Sequence, residues 1–227
     1  MALVVKICGL KTPETVDAAV AAGADLVGFV FFPPSPRNVS LALARELGAR
    51  VRGRACKVAL SVDADDALHA AIIESLAPHM LQLHGRETPE RIKALKARFG
   101  LPVMKSLAVE TGADLTAVAA YTGVADALLF DARAPKDATR PGGLGKPFDW
   151  TLLKALDPGL RFMLSGGLDP SNVAEALAIT RAPAVDVSSG VERAPGEKDI
   201  EKIRAFVRAA RAAQSESVSG ERKAASV

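Results

Sequence analysis

Ionisable side chains stand at or next to the ends of four short, mainly apolar runs in this sequence. They are Cys8, His84, Asp131 and Asp186, and a glycine directly follows each of the first two. Side chains at strand ends face the crevice in which parallel α/β folds bind their substrates. A thiol and a carboxyl group can serve as base and acid in proton transfer, whereas a cysteine within a strand is usually a small buried hydrophobe. Cys8 alone is weak evidence, but the four positions together predict a site for acid–base chemistry.

The elements that would position these residues repeat regularly. Eight β-branched or leucine-rich runs are each followed by a turn and an alanine-rich segment with helical spacing; they cover residues 3–8, 25–31, 57–62, 79–83, 102–107, 125–130, 160–164 and 184–187. Capping side chains precede prolines at residues 12–13, 88–89 and 169–170, which predicts helix starts there. We expect left-handed helix ends at Gly23, Gly48, Gly100 and Gly123.

Alternating strands and helices of this length require a parallel sheet, which is either an open doubly wound sheet or a closed barrel. Eight units favour the barrel. The predicted fold class is therefore α/β, a single (β/α)8 TIM barrel covering residues 1–214. Residues 215–227 are polar and rich in small side chains, and they are predicted to form a flexible C-terminal tail.

Side chains alternate across a strand, so the sequence also predicts which of them face the barrel interior. Lys6 and Cys8 share one face of the first run, and the apolar side chains between them must pack under the helices. The same argument directs six further side chains inward: Gln82, His84, Leu129, Asp131, Asp186 and Ser188. His84 could instead be a hydrogen-bonded core histidine, and Asp186 could be a buried partner of Lys6. Polar inward residues on four strands nevertheless favour an active site at the mouth of the barrel.

Two glycine turns follow the last two runs and predict a phosphate site. Their residues are Gly166 and Gly167 in the first turn, and Ser188, Ser189 and Gly190 in the second. Glycine lets backbone N–H groups approach an anion, and barrels commonly bind phosphate between these two loops and a short extra helix. An ordinary tight turn is the alternative at Gly166.

A third glycine-rich stretch, residues 142–147, lacks the spacing of a nucleotide-binding loop, and Pro147 stands where a serine or threonine would hold magnesium. It belongs to a long connection, residues 132–148, that is predicted to cover the site as a lid.

Composition narrows the classes of partner. The chain has 227 residues, of which 49% are hydrophobic, and 29 lysines and arginines balance 26 acidic residues to a net charge of +3. The sequence has no basic cluster of the kind that binds nucleic acid. No apolar run reaches the ~20 residues of a membrane span, and no secretory signal is evident. Two cysteines do not make a disulfide framework, so we expect a cytoplasmic protein. We expect no metal site, since His69 and His79 fall at positions more typical of a solvated surface.

The ordered motifs resemble those of the phosphoribosylanthranilate isomerase family over nearly the whole chain before the tail. They are residues 6–9, 23–25 with 28–29, 35–37, 81–85, 131, 142–143 with 145, 148–150, 165–168 and 186–192. Leu144 departs from the resemblance, because a small hydroxyl residue is expected between the glycines of the lid.

The resemblance implies an enzyme of tryptophan biosynthesis that isomerises a phosphosugar, N-(5-phosphoribosyl)anthranilate, by an Amadori rearrangement without cofactor or metal. It places the general base on Cys8 and the general acid on Asp131, and it places recognition of the anthranilate carboxylate on Arg37. Gln82, His84 and Asp186 would line the substrate pocket. We expect the pKa of Cys8 to fall toward neutrality beside Lys6, unless Asp186 takes up that charge.

Two alternatives remain at this stage. Another phosphosugar enzyme, such as a ribulose-phosphate epimerase, would share the phosphate turns but would also need metal ligands on several strands. A barrel that binds phosphorylated ligands without turnover would not need both Cys8 and Asp131. The sequence leaves the oligomeric state open between monomer and homodimer.

Overall fold

Eight parallel strands close into a barrel in the computed structural model, which describes residues 2–134, 142 and 147–224, with side chains as far as residue 214. The strands follow the chain in order around the barrel; they are β1 Val4–Cys8, β2 Leu26–Phe31, β3 Cys56–Ser61, β4 Met80–Leu83, β5 Val103–Val109, β6 Ala127–Ala132, β7 Phe162–Leu164 and β8 Ala184–Val187. Lys6 pairs with Asp186 in register, which joins β1 to β8 and closes the barrel. The predicted fold class and all eight predicted strands are confirmed.

Helices cover the outside of the barrel. They are α1 Pro13–Ala21, α2 Leu41–Val51, α3 Asp66–Leu76, α4 Pro89–Phe99, α5 Val118–Tyr121, α6 Val173–Thr180 and α7 Ile200–Ala224. Thr12 and Thr88 cap α1 and α4 as predicted, each accepting a hydrogen bond from a backbone N–H three residues later. Asp169 does not cap α6, which begins three residues further along, after Asn172.

One predicted helix end is wrong. Gly48 lies inside α2, and the left-handed residue that ends this helix is Arg52. A Cβ at position 48 would lie 2.8 Å from Cδ1 of Leu76, so this glycine allows α2 to pack closely against α3. A glycine after an apolar helical segment can end the helix or, as at position 48, allow close packing, and the local sequence does not distinguish the two.

Among the described residues, the connections after β5 and β6 contain little regular helix. Short 3-10 turns occupy Gly112–Ala117 and Trp150–Ala155, and the four residues of α5 add one regular turn. At the other end of the chain, α7 continues as a helix to Ala224 and so includes most of the segment predicted to be a flexible tail. Alanine, glutamate, lysine and arginine favour helix, and a polar composition does not prevent it. The end of the barrel domain near residue 214 stays a prediction.

Two separate clusters of apolar side chains lie inside the barrel, one near the beginnings of the strands and one near their ends. Met104, Leu129 and Met163 pack together inside, against residues from the beginnings of the strands. Cys8 packs with Val30 and Leu60 near the strand ends. The predicted inward direction of Cys8 and Leu129 is confirmed, because their outward neighbours belong to the separate core beneath the helices. Within the described part of the chain, no helix has the length and apolar character needed to cross a bilayer.

Candidate active site

Cys8 ends β1 with its thiol almost fully buried, at 3% exposure. Gly28 faces it in the register of β2, and a Cβ on that glycine would lie 2.9 Å from the cysteine sulfur. On the other side, the Ser188 hydroxyl donates a hydrogen bond to the backbone carbonyl of Cys8 at 3.1 Å. Neighbouring strands therefore define a narrow position for the thiol.

Lys6 is the inward-facing residue of β1 that precedes Cys8, and it forms an ion pair with Asp186. Its Nζ donates to Oδ1 of Asp186 at 2.9 Å, and the Ser165 hydroxyl donates to the other carboxylate oxygen at 3.3 Å. Burial lowers the pKa of Lys6, but the charges of Asp186 and Cys8 outweigh this effect and raise it overall. The pairing considered from the sequence is present, so Asp186 takes up much of the positive charge beside Cys8.

The expected fall in the pKa of Cys8 is wrong. Burial raises the pKa of this thiol above its usual value of 9.0, Asp186 raises it further, and the positive charges of Lys6 and Lys198 only partly oppose the rise. The cation two residues away is visible in the sequence, whereas the loss of water around the thiol depends on the folded structure.

Asp131 lies on β6 and contacts a short polar chain from β4. Its Oδ2 lies 3.2 Å from Nε2 of His84, and Nδ1 of His84 lies 3.3 Å from Nε2 of Gln82. Gln82 Nε2 also donates to the hydroxyl of Ser106 at 3.3 Å, while its Oε1 has no partner within the described residues. The predicted inward residues Gln82, His84 and Asp131 are thus brought together.

Two glycines border the Asp131 carboxylate. A Cβ on Gly166 would lie 2.3 Å from the backbone nitrogen of Ala132 and 2.9 Å from Oδ1 of Asp131. A Cβ on Gly142 would lie 2.5 Å from Oδ2 of Asp131. Most of the predicted lid, including Leu144, lies outside the described residues, but Gly142 stands directly against the carboxylate.

The turns after β7 and β8 touch each other. Gly166 and Gly167 have φ angles of 86° and 68°, a region that favours glycine. A Cβ on Gly190 would lie only 1.9 Å from the carbonyl oxygen of Leu168. A single 3-10 turn, Ser189–Val191, follows Ser188 at the position expected of the short extra helix. All five predicted phosphate-site residues therefore belong to two adjoining turns.

A buried charge cluster beyond β8 contains three residues, of which the sequence singled out only Arg37. The guanidinium of Arg37 donates from Nε and Nη2 to the two carboxylate oxygens of Glu192, at 2.7 and 2.8 Å. Lys198, in a hairpin formed by β9 Glu192–Ala194 and β10 Glu197–Lys198, donates to the same carboxylate at 2.8 Å and to the carbonyl of Ser188 at 2.8 Å. Arg37 is therefore not a solvated loop residue.

Burial sets the charge balance of this cluster. It lowers the pKa of Lys198 to about 8, although the carboxylate of Glu192 opposes this. Burial would raise the pKa of Glu192, but Arg37 and Lys198 outweigh it, and the pKa falls below its usual value. Lys198 follows the eighth unit in a loop hairpin, where strand alternation gives no signal. Glu192 belongs to one of the motifs that carried the family resemblance, residues 186–192, so it could have been identified as a site residue from the sequence.

The two histidines assigned to the surface differ from each other. His79 accepts a backbone hydrogen bond from Lys57 at 3.0 Å at the start of β4. His69 is fully buried, which corrects the prediction for it: its ring lies 3.1 Å from the Ser61 hydroxyl and 2.8 Å from the carbonyl of Asp65. Among the described residues, no group of three or more histidine, cysteine or acidic side chains could hold a metal ion.

Ionisable side chains at the carboxyl-terminal mouth of a closed eight-stranded barrel define the class of protein, a (β/α)8-barrel enzyme. A family model described as N-(5'phosphoribosyl)anthranilate (PRA) isomerase matches residues 5–209. The chain belongs to this family.

Relatives and solved structures agree with that assignment. The chain is 66% identical over 218 residues to the N-(5'-phosphoribosyl)anthranilate isomerase of Bradyrhizobium sp. strain ORS 278, covering 96% of this chain and 100% of the relative. It is similar to a crystal structure of a PRA isomerase in complex with reduced 1-(o-carboxyphenylamino)-1-deoxyribulose 5-phosphate, with a TM-score of 0.81, 32% identity, and coverage of 92% and 99%. Monomers generated from the dimeric enzyme of Thermotoga maritima give a TM-score of 0.81, 33% identity and the same coverage.

Proposed function

We propose that this chain catalyses the Amadori rearrangement of N-(5-phosphoribosyl)anthranilate to 1-(2-carboxyphenylamino)-1-deoxyribulose 5-phosphate, the third step of tryptophan biosynthesis from chorismate. Family membership makes it an isomerase of that pathway. The observation that carries the mechanism is the placement of Cys8 on β1 and Asp131 on β6. Only β8 and β7 separate these strands, and their ends bear the two glycine turns. A phosphosugar held at the turns would extend between acid and base.

Asp131 would act first, as the general acid. Its proton passes to the furanose ring oxygen while the lone pair of the anthranilate nitrogen forms a double bond to C1′, and the bond from C1′ to the ring oxygen breaks. This step leaves an open-chain iminium. For it, Asp131 must bind the substrate in its protonated form, and the contact between its Oδ2 and Nε2 of His84, 3.2 Å apart, would orient the carboxyl group.

Cys8 would act second, as the general base. Its thiolate removes the proton from C2′, and the electrons of that bond form a C1′–C2′ double bond as they neutralise the iminium. The resulting enolamine becomes the ketone by gaining a proton at C1′ and losing one from the C2′ hydroxyl, so the rearrangement is a net isomerisation.

Burial holds the pKa of Cys8 above its usual value in the free enzyme, which favours the neutral thiol over the thiolate. Lys6 and Lys198 oppose the rise. The positive iminium of the first step would favour the thiolate further. The thiolate of Cys8 and the iminium would therefore form together, once the substrate is bound.

Arg37 would bind the anthranilate carboxylate. The two hydrogen bonds to Glu192 fix the plane of its guanidinium at the mouth of the barrel, and they support a role in orienting the aromatic end of the substrate. The backbone and side chains of Gly166, Gly167, Ser188, Ser189 and Gly190 would bind the phosphate at the other end. Gln82, His84 and Asp186 would line the pocket between these two ends.

We also propose that the protein is cytoplasmic and that it is a monomer or a homodimer. The dimeric relative from Thermotoga maritima supports the homodimer. Light scattering coupled to size-exclusion chromatography would give the mass directly, since one chain has a mass of 23.6 kDa.

The proposed reaction is tested by supplying freshly generated phosphoribosylanthranilate to the purified protein and following the loss of anthranilate-type fluorescence. We expect a loss far above the spontaneous rate. A related phosphoribosyl precursor of an aminoketose that lacks the anthranilate ring, assayed beside it, shows whether the enzyme turns over a second substrate. Binding of the reduced product analogue without any turnover would contradict the proposal and favour a ligand-binding barrel.

A further inference from the structure

A buried ion pair lies outside the barrel wall, away from the substrate. Nζ of Lys105 on β5 lies 2.8 Å from Oε2 of Glu87, which is in the loop after β4, and both side chains are at most 3% exposed. Lys105 is on the outer face of β5, because its neighbour Ser106 faces inward and accepts a hydrogen bond from Gln82. Tyr121 covers the pair, with the Lys105 ammonium 5.9 Å from the centre of its ring.

Such a pair needs an explanation other than stability. Removing two charges from water costs several kcal/mol per ion, and apolar residues of similar size often serve a core equally well. Burial would raise the pKa of Glu87, but Lys105 and backbone N–H groups outweigh it and lower the pKa. The backbone contacts of this pair show which part of the chain the two charges hold in place.

The pair binds the backbone on both sides of His84. The carboxylate of Glu87 accepts from the N–H of Gly85 at 2.9 Å. The Lys105 ammonium donates to the carbonyl of Gly85 at 2.6 Å and lies 3.4 Å from the carbonyl of Leu83. The N–H of His84 itself donates to the carbonyl of Ser61 at 2.9 Å. The peptide groups before and after His84 are thus both fixed.

The backbone direction at His84 determines where its imidazole lies. Nε2 reaches Asp131 at 3.2 Å, and Nδ1 reaches Gln82 at 3.3 Å. We propose that Lys105 and Glu87 are positioning residues that act through the strand end to hold His84 against the carboxyl group of Asp131. They touch no substrate, and their effect on turnover rests on the proposed function. Their effect on the contact between His84 and Asp131 does not.

The double substitution Glu87→Gln with Lys105→Met tests the contact directly. The glutamine amide can still accept from the N–H of Gly85, and no unpaired charge remains buried, so this variant is expected to fold. Thermal unfolding verifies that it does. If it unfolds below the working temperature, all variants are compared at a lower temperature at which the double variant is folded. The matched control is Lys96→Met, which breaks the 2.8 Å pair between Lys96 and Asp126 in front of β6.

Imidazole NMR signals provide a readout that does not depend on turnover. The chain has three histidines, at positions 69, 79 and 84, so the signals are few. Asp131→Asn should shift the His84 signals in the wild-type and Lys96→Met backgrounds. In the double variant this shift should shrink by at least about half, because a contact depends steeply on geometry, while His79 stays unchanged. An equal shift in all three backgrounds would overturn the positioning role.

Kinetics then connect positioning to the reaction. The double variant should lower kcat by about tenfold with a nearly unchanged KM, as expected when a catalytic group is slightly misplaced. In a His84→Ala background the same double substitution should have little further effect, because the residues act as one unit. Additive losses would contradict the proposal. A wild-type protein inactive on phosphoribosylanthranilate would refute the proposed function instead, and the NMR comparison would still decide the positioning role.

Discussion

Gly190→Ala should weaken the binding of phosphorylated ligands by about a hundredfold, because the substitution separates the two turns proposed to bind phosphate. The added Cβ would lie 1.9 Å from the carbonyl oxygen of Leu168 and 2.9 Å from Cβ of Asp169. The nearest atom belongs to the backbone, so no flexible side chain can move aside. One turn must therefore shift as a whole.

The size of the shift sets the size of the effect. Ordinary van der Waals contact begins at 3.4 Å, so the turns must separate by about 1.5 Å. A hydrogen bond lengthened by that distance is lost. Each hydrogen bond to a charged group contributes about 1.5–3 kcal/mol, so the loss of one or two costs about 3 kcal/mol, which is roughly a hundredfold in Kd.

Calorimetry with the reduced product analogue measures this loss. A dephosphorylated analogue provides the ligand control, since its affinity should change little. Gly112→Ala provides the protein control, because a Cβ there meets nothing within 4 Å and Gly112 does not have a positive φ. An unchanged Kd for Gly190→Ala, or an equal loss of affinity for the ligand without phosphate, would refute the assignment of these turns to the phosphate.

Three further predictions concern the thiol and the buried charge cluster. In a Cys56→Ser background, the ultraviolet absorbance of the Cys8 thiolate should titrate above pH 9.0, because burial raises its pKa; a midpoint near neutrality would contradict this. Gly28→Ala should lower kcat by about tenfold or more, since its Cβ would lie 2.9 Å from the sulfur; unchanged kcat with normal folding would show that the thiol position is not critical. Glu192→Gln should cost about 3–5 kcal/mol at pH 7 in urea unfolding. The pKa of Glu192 is lowered in the folded state, so its contribution is present above its usual pKa of 4.5 and is lost as pH falls through the lowered value. The difference from wild type should therefore shrink as the pH falls below 4.5, and a difference independent of pH would contradict the ion-pair explanation.

The strands and their faces were predictable because strand periodicity is local. Alternation along β1, β4 and β6 was enough to direct Cys8, His84 and Asp131 inward, and strand order then brings them to one mouth. Contacts made by loops were not predictable in this way. Lys198 meets Glu192 because β9 and β10 pair as a hairpin after β8, with the two residues opposite each other.

The burial of individual side chains was also not predictable from the sequence. His69 looked like a surface residue on a helix, but Ser61 and a backbone carbonyl of the preceding turn satisfy both ring nitrogens in the core. The pKa of Cys8 was expected to fall because Lys6 is its neighbour two residues away in the chain. Desolvation is the larger effect there, and it depends on every group packed around the sulfur.

The central claim is that Cys8 and Asp131 are the base and the acid of the rearrangement. The most direct measurement is kcat on phosphoribosylanthranilate for Cys8→Ala and Asp131→Asn, with the Kd for the reduced product analogue measured on the same samples. The mechanism predicts a fall in kcat on the order of 10² or more for each variant, with the analogue still bound. A kcat near the wild-type value in either variant would contradict the mechanism and remove that residue from it.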